Sequence, residues 1–125
     1  MKKLFDGRID NIRFIANIFI LNIVLYLSIL MISMLSDPYY SNLSIGFGLF
    51  LLLLSSIGII GSSILIISTF IQRLHDLGRQ GREIFLMLIP FYNIYLMYVF
   101  ALKKGTIGVN EYGINPIDKK NSIAK

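Results

Sequence analysis

Three long apolar runs separated by short polar stretches organise the chain. The first, Phe14 to Leu35, contains nothing more polar than Asn17, Asn22, Ser28 and Ser33. As a helix rising 1.5 Å per residue it reaches about 33 Å, enough to cross a bilayer. Lys2, Lys3 and Arg8 precede it as in a signal peptide, but the run is longer than a usual signal core and no small-x-small site follows, so it reads as a retained span. A turn-rich connector, Ser36 to Asn42, carries no basic residue. The second run, Leu43 to Ile71, is uncharged and would extend roughly 43 Å as a helix, so it must tilt, bend or protrude. Ser55, Gly58, Gly61 and Ser62 concentrate its small residues, with Gly58 and Ser62 at the small-xxx-small spacing that lets helix backbones approach, either within the chain or between copies. The third run, Ile84 to Leu102, is interrupted by Pro90-Phe91-Tyr92-Asn93. Pro90 removes a backbone hydrogen bond, so this segment is either a kinked span or a re-entrant hairpin. The pattern predicts an all-α integral membrane protein with about three transmembrane helices, forming a single membrane domain over residues 1–125 with a short N-terminal arm, a loop at 72–83 and a polar tail at 103–125.

Composition agrees. Of 125 residues, 55% are hydrophobic and only 15% charged, and the mean hydropathy is +0.70. So few charges, so unevenly spread, would not keep a soluble domain in solution. Twelve Lys or Arg oppose seven Asp or Glu, and the excess falls outside the apolar runs. No soluble recognition element accompanies it, so it marks topology and anionic lipid and predicts no nucleic-acid partner. With no cysteine and one histidine, His75, neither a metal site nor a cofactor is expected.

The positive-inside rule places the arm (Lys2, Lys3, Arg8, Arg13) and the loop (Arg73, Arg79, Arg82) in the cytoplasm. Three full crossings would put Lys103, Lys104, Lys119, Lys120 and Lys125 outside, a bias of seven to five, whereas a re-entrant third segment puts all twelve basic residues inside. Three spans remain the leading expectation.

Candidate chemistry concentrates in Gln72 to Glu83, which packs five charges and His75 at a membrane boundary. If the second helix continues to about Leu77, Arg73 and Asp76 share a face and Gly78 ends the helix in a left-handed conformation. Arg73, His75, Asp76, Arg79 and Arg82 are then candidates for a headgroup phosphate, which suits planar guanidinium donors. The plainer alternative is that the arginines enforce topology, with Asp76 as their counter-ion and His75 as a helix C-cap. A His75–Asp76 catalytic dyad is disfavoured, because neighbouring helical side chains point about 100° apart. The tail from Lys103 to Pro116 is rich in turn formers and shows no helical or strand period; Asn110, Tyr112 and Asn115 are its candidate site residues, and the stretch after Pro116 is expected to fray.

Four strings together resemble one family of small bacterial inner-membrane proteins, domain of unknown function 805: Phe5-Asp6-Gly7-Arg8, then Arg73-Leu74-His75-Asp76-Leu77-Gly78-Arg79-Gln80-Gly81, then Ile89-Pro90, then Gly105 through Pro116. The resemblance covers nearly the whole chain. It departs at Arg82-Glu83, where members commonly carry Trp-Trp, and at Asn11 and Arg13-Phe14, where a second arginine and an aromatic pair are usual. It implies a multi-pass protein of the bacterial cytoplasmic membrane and carries no biochemical activity.

Three functions fit these residues. The first is a non-enzymatic membrane module that binds anionic lipid or a membrane-protein partner through the 73–82 loop, as a homo-oligomer or in a complex. The second is an enzyme acting on a lipid or phosphorylated headgroup with His75 as acid or base. The third is a small channel or transporter subunit using Asn17, Asn22 and Asn93.

Overall fold

A computed structural model describes residues 2–37 and 44–123. Its elements are α1 (Lys2–Phe5), α2 (Asn11–Leu35), α3 (Ile45–Asp76), a 3₁₀ segment (Gly81–Leu88), α4 (Tyr92–Leu102), β1 (Val109–Asn110), β2 (Gly113–Ile114) and α5 (Pro116–Ile123). Among the described residues the protein is all-α apart from one hairpin of two two-residue strands. Most of the connector expected at Ser36–Asn42 lies outside the described residues.

Local chemistry explains where the helices begin and end. Asp10 caps α2, its Oδ1 accepting from the Arg13 amide at 2.7 Å. Ser44 starts α3 in the same way, with the Phe47 amide 3.4 Å from its hydroxyl. α3 stops at a Schellman turn: Gly78 has φ +71, its amide donates to His75 O at 3.1 Å, and the Arg79 amide donates to Leu74 O at 2.9 Å.

Two helices, α2 and α3, are long and apolar enough to cross a membrane. The third apolar run is divided. The Tyr92 amide donates to Pro90 O at 2.8 Å across Phe91, whose φ of 66° and ψ of −41° belong to the rare positive-φ γ-turn. α4, with 11 residues, therefore spans only about 16 Å by itself, and the third run is not one continuous kinked helix. A second correction concerns the tail, where α5 occupies residues expected to fray. Asn115 Oδ1 caps it by accepting from the Ile117 amide at 2.9 Å, and Pro116 sits at the first helical position, where a missing amide costs nothing.

The chain divides into two compact units, one made of Met1–Ile18 with Ile67–Lys125, the other of Phe19–Ile66. In the second unit Ser55 and Ser62 are buried and Gly58 lies against Ser28, where a Cβ would come within 2.2 Å of the serine hydroxyl. Three of the four small residues thus line a seam within the chain, whereas Gly61 meets nothing within 4 Å. Both serines return their hydroxyls to the preceding turn, Ser55 to Leu51 O and Ser62 to Gly58 O, so they pack as small apolar surfaces. The first unit is centred on Phe14, Phe70 and Phe100, one each from α2, α3 and α4. Their ring centroids lie 5.3 to 5.8 Å apart in edge and tilted arrangements, beside the buried Leu74, Leu96 and Val99.

Candidate functional site

The centre of the first unit is ionic. Asp76, in the last turn of α3, accepts from Arg8 Nε at 3.0 Å through one carboxylate oxygen and from Arg73 Nη1 at 2.5 Å through the other. These three side chains are 1%, 0% and 2% exposed for Arg8, Arg73 and Asp76. Two guanidiniums share one carboxylate, and the remaining positive charge is offset by the nearby charge of Asp10 and by backbone carbonyl dipoles. Arg8 donates to Gly108 O at 2.9 Å, Gly113 O at 3.1 Å and Thr106 O at 2.5 Å. Arg73 donates to Phe100 O at 2.9 Å, Ile9 O at 3.3 Å and Lys103 O. Phe100 and Lys103 lie at the C-terminal end of α4, where carbonyls lack helical partners and carry partial negative charge. Asn11 covers the neighbouring Ala101 O at 3.3 Å. Among the described residues no buried side-chain nitrogen or oxygen lacks a partner.

The loop and tail meet here. The Thr106 amide and hydroxyl both donate to Asp76 O, at 2.8 and 3.1 Å. Asn110 donates to His75 O at 2.9 Å, and Asn115 donates to Thr106 O at 2.9 Å. Gly105 makes this approach possible, because a Cβ there would lie 2.0 Å from Asp76 Oδ2. The arm is held as well: Gln72 donates to Leu4 O at 2.9 Å and Ser68 donates to the same carbonyl.

His75 is a wall of this assembly. Its Nδ1 donates to Gly7 O at 3.3 Å, since a carbonyl can only accept, and its ring stacks on Tyr112 with centroids 3.8 Å apart and planes 3° from parallel. Burial pushes its pKa below the usual histidine value, against the Gly7 hydrogen bond and the charge of Asp6. Asp76 gives both oxygens to arginines, so it does not orient the imidazole. Burial pushes the Asp76 carboxyl up, against the Arg8 hydrogen bond and the charges of Arg73 and Arg8.

Of the residues singled out from the sequence, Arg73, His75, Asp76, Asn110, Tyr112 and Asn115 converge. Arg73 and Asp76, expected at headgroup level, have side chains only 0% and 2% exposed and are engaged with partners inside the protein. Arg79 stands apart, pairing with Glu83 at 3.0 Å and donating to Tyr92 at 3.3 Å, and Arg82 is exposed. Asn17 and Asn22 are exposed on α2, and Asn93 is half-buried in α4. Sequence reading missed Arg8, Asn11, Gly105 and Thr106 as participants. Arg8, Gly105 and Thr106 did stand in the strings that carried the family resemblance, which was the available signal. Among the described residues no cluster of three His, Cys, Asp or Glu could hold a metal ion.

Comparison with known proteins gives this arrangement a family. A stretch of 69 residues is 35% identical to the inner membrane protein YhaI of Escherichia coli K12, covering 55% of this chain and 58% of that relative, and the O157:H7 counterpart matches equally. The chain thus matches less than two thirds of the length of these relatives. No solved structure matches. The family described as "Protein of unknown function (DUF805)" matches residues 4–114, a stretch holding Arg8, Arg73, Asp76 and all of their hydrogen-bond partners, and the chain belongs to that family.

Proposed function

We propose that this protein is a non-enzymatic module of the bacterial inner membrane. Its arm, 72–83 loop and tail form one locked polar head on the cytoplasmic side, and the head engages anionic phospholipid. The observation that carries the reading is the Arg8–Asp76–Arg73 node. It joins three separate chain segments, and every nitrogen of both guanidiniums is already hydrogen-bonded within the protein, which is the chemistry of a clasp.

Two further observations support it. Every Lys and Arg of the sequence falls in the first unit, with six of the seven carboxylates, whereas Phe19–Ile66 contains Asp37 as its only charged residue. The tail also returns to the end of α3: Gly81, three residues before the Ile84–Leu102 run, lies against Ile71 and His75, and Gly105, three residues after it, lies against Asp76. A segment whose two ends meet enters the membrane and returns on the same side, and that path keeps all twelve basic residues cytoplasmic. The acid-base alternative gains nothing from this geometry, since His75 is buried and stacked and its neighbouring carboxylate is occupied.

The absence of native cysteine makes the test direct. Single Asp37→Cys, Gln80→Cys and Glu111→Cys variants in spheroplasts and inverted vesicles should label with an impermeant maleimide from the periplasmic side only at position 37, and from the cytoplasmic side at 80 and 111. Labelling of 80 and 111 from opposite sides would overturn the topology. Purified protein that retains phosphatidylglycerol no better than phosphatidylcholine would overturn the lipid reading.

A further inference from the structure

The polar tail presents four large aliphatic side chains outward. Ile107, Val109, Ile114 and Ile117 are 51% to 95% exposed, although they stand among turn formers and lysines. Val109 and Ile114 are paired across the β1–β2 hairpin, which puts both side chains on one face of it. One step further along, the Asn115 amide donates to Gly108 O at 3.1 Å, and beyond that link Ile107 and Ile117 border the same small cleft. The two pairs therefore follow one another as a single apolar edge.

That edge is held rigid. Arg8 donates to Gly108 O and Gly113 O, Asn110 donates to His75 O and accepts from the Tyr112 amide, and the Tyr112 ring stacks on His75. The fold has already ordered the hairpin, so its apolar side chains stand in place before any contact is made. Exposed apolar surface of this kind marks an interaction site.

Depth and charge select what it meets. Ile114 shares one cleft with Arg13, and Ile107 and Ile117 share another with Asp10 and Asn11. These are the cap and first turn of α2, directly before the uncharged run that begins at Phe14, so the edge lies level with the headgroups. The first unit carries all twelve basic residues and six carboxylates. That excess repels a second copy of the same surface and attracts an anionic leaflet.

The geometry points to a membrane-docking edge, in which Ile107, Val109, Ile114 and Ile117 dip into the headgroup–acyl boundary of the cytoplasmic leaflet, drawn there by anionic lipid. This rests on the anionic-lipid reading above and names the surface through which the head engages the bilayer.

The chain has no tryptophan, so an introduced indole reports alone. Full-length Ile107→Trp, Val109→Trp and Ile117→Trp variants, each changed at an exposed position, are reconstituted in vesicles of mixed phosphatidylglycerol and phosphatidylcholine. Ile57→Trp, exposed in the uncharged run of α3, gives the lipid-facing reference. Quenching by phosphatidylcholine brominated in the upper acyl chain should come within about twofold of that reference at all three tail positions. In vesicles of phosphatidylcholine alone, bromolipid quenching should fall and quenching by aqueous iodide should rise, each by about threefold or more. Tail indoles open to iodide and insensitive to bromolipid in the mixed vesicles overturn the docking edge, and the lipid reading still stands if the wild type retains phosphatidylglycerol preferentially. Shielding from iodide without bromolipid quenching, growing with the protein-to-lipid ratio, overturns the edge in favour of a contact between copies. Equal bromolipid quenching in both vesicle types supports insertion of the edge and overturns the anionic-lipid reading.

Discussion

Replacing Arg8 by alanine removes the donor set that ties the tail to the arm and to the end of α3. The side chain makes one bond to a carboxylate and three to carbonyls, all of them partly buried. Removing one member of a buried ion pair costs about 3–5 kcal/mol. Asp76 keeps Arg73, which places the loss toward the lower figure, whereas Thr106 O keeps Asn115 and Gly108 O keeps the Asn115 amide. The tail should therefore open locally about 3 kcal/mol more easily, a rise of roughly 150-fold in its open population. Hydrogen exchange in detergent or nanodiscs reads this at the Thr106 and Asn115 amides, which donate to Asp76 O and Gly108 O. Amides of Ile45–Ile66 serve as the internal control and should not change. Arg8→Lys keeps the charge, but a point-like ammonium cannot reach carbonyls on three sides as a planar fork does, so it should recover less than half of the lost protection. Tail exchange within about threefold of wild type in Arg8→Ala would refute the claim that this arginine holds the head together.

Three further outcomes follow from single contacts. Gly105→Ala puts a methyl group 2.0 Å from Asp76 Oδ2 and should weaken tail protection by about 1–3 kcal/mol, seen as faster tryptic cleavage at Lys103 and Lys104. Gly58→Val must displace the Ser28 hydroxyl from its 2.8 Å bond to Val24 O and should lower the thermal midpoint by circular dichroism, at a cost of about 1–3 kcal/mol. Gly61→Ala, with open space around it, should be neutral or stabilising by up to about 1 kcal/mol. The folded pKa of His75 lies below its unfolded value, so its contribution to stability is full above about pH 6.5 and is lost as pH falls from there through the folded pKa. As the only histidine, it gives one imidazole NMR titration, and a midpoint at or above 6.5 would contradict its burial.

The sequence by itself determined the solvent of this protein. Uncharged runs of bilayer length need only the 1.5 Å rise and the transfer cost of charge to be read as spans, and Gly78 as a helix stop and Arg73–Asp76 as a pair one turn apart are equally local. The Asn115-Pro116 start of α5 was local too, since a capping Asn followed by Pro at the first helical position is a readable signal. What only the tertiary structure decided was which charges face inward. Arg73 and Arg82 look alike in sequence, yet one is sealed against Phe100, Ile9 and Lys103 carbonyls and the other is exposed, because that outcome depends on where the arm and tail return. Arg8 is 68 residues from Asp76 and about 100 from its tail carbonyls, a separation at which neither period nor spacing carries information. The division of the third run at Pro90 was foreseeable from the missing amide, but its consequence, a loop and a tail sharing one ionic centre, required the chain to be seen folded.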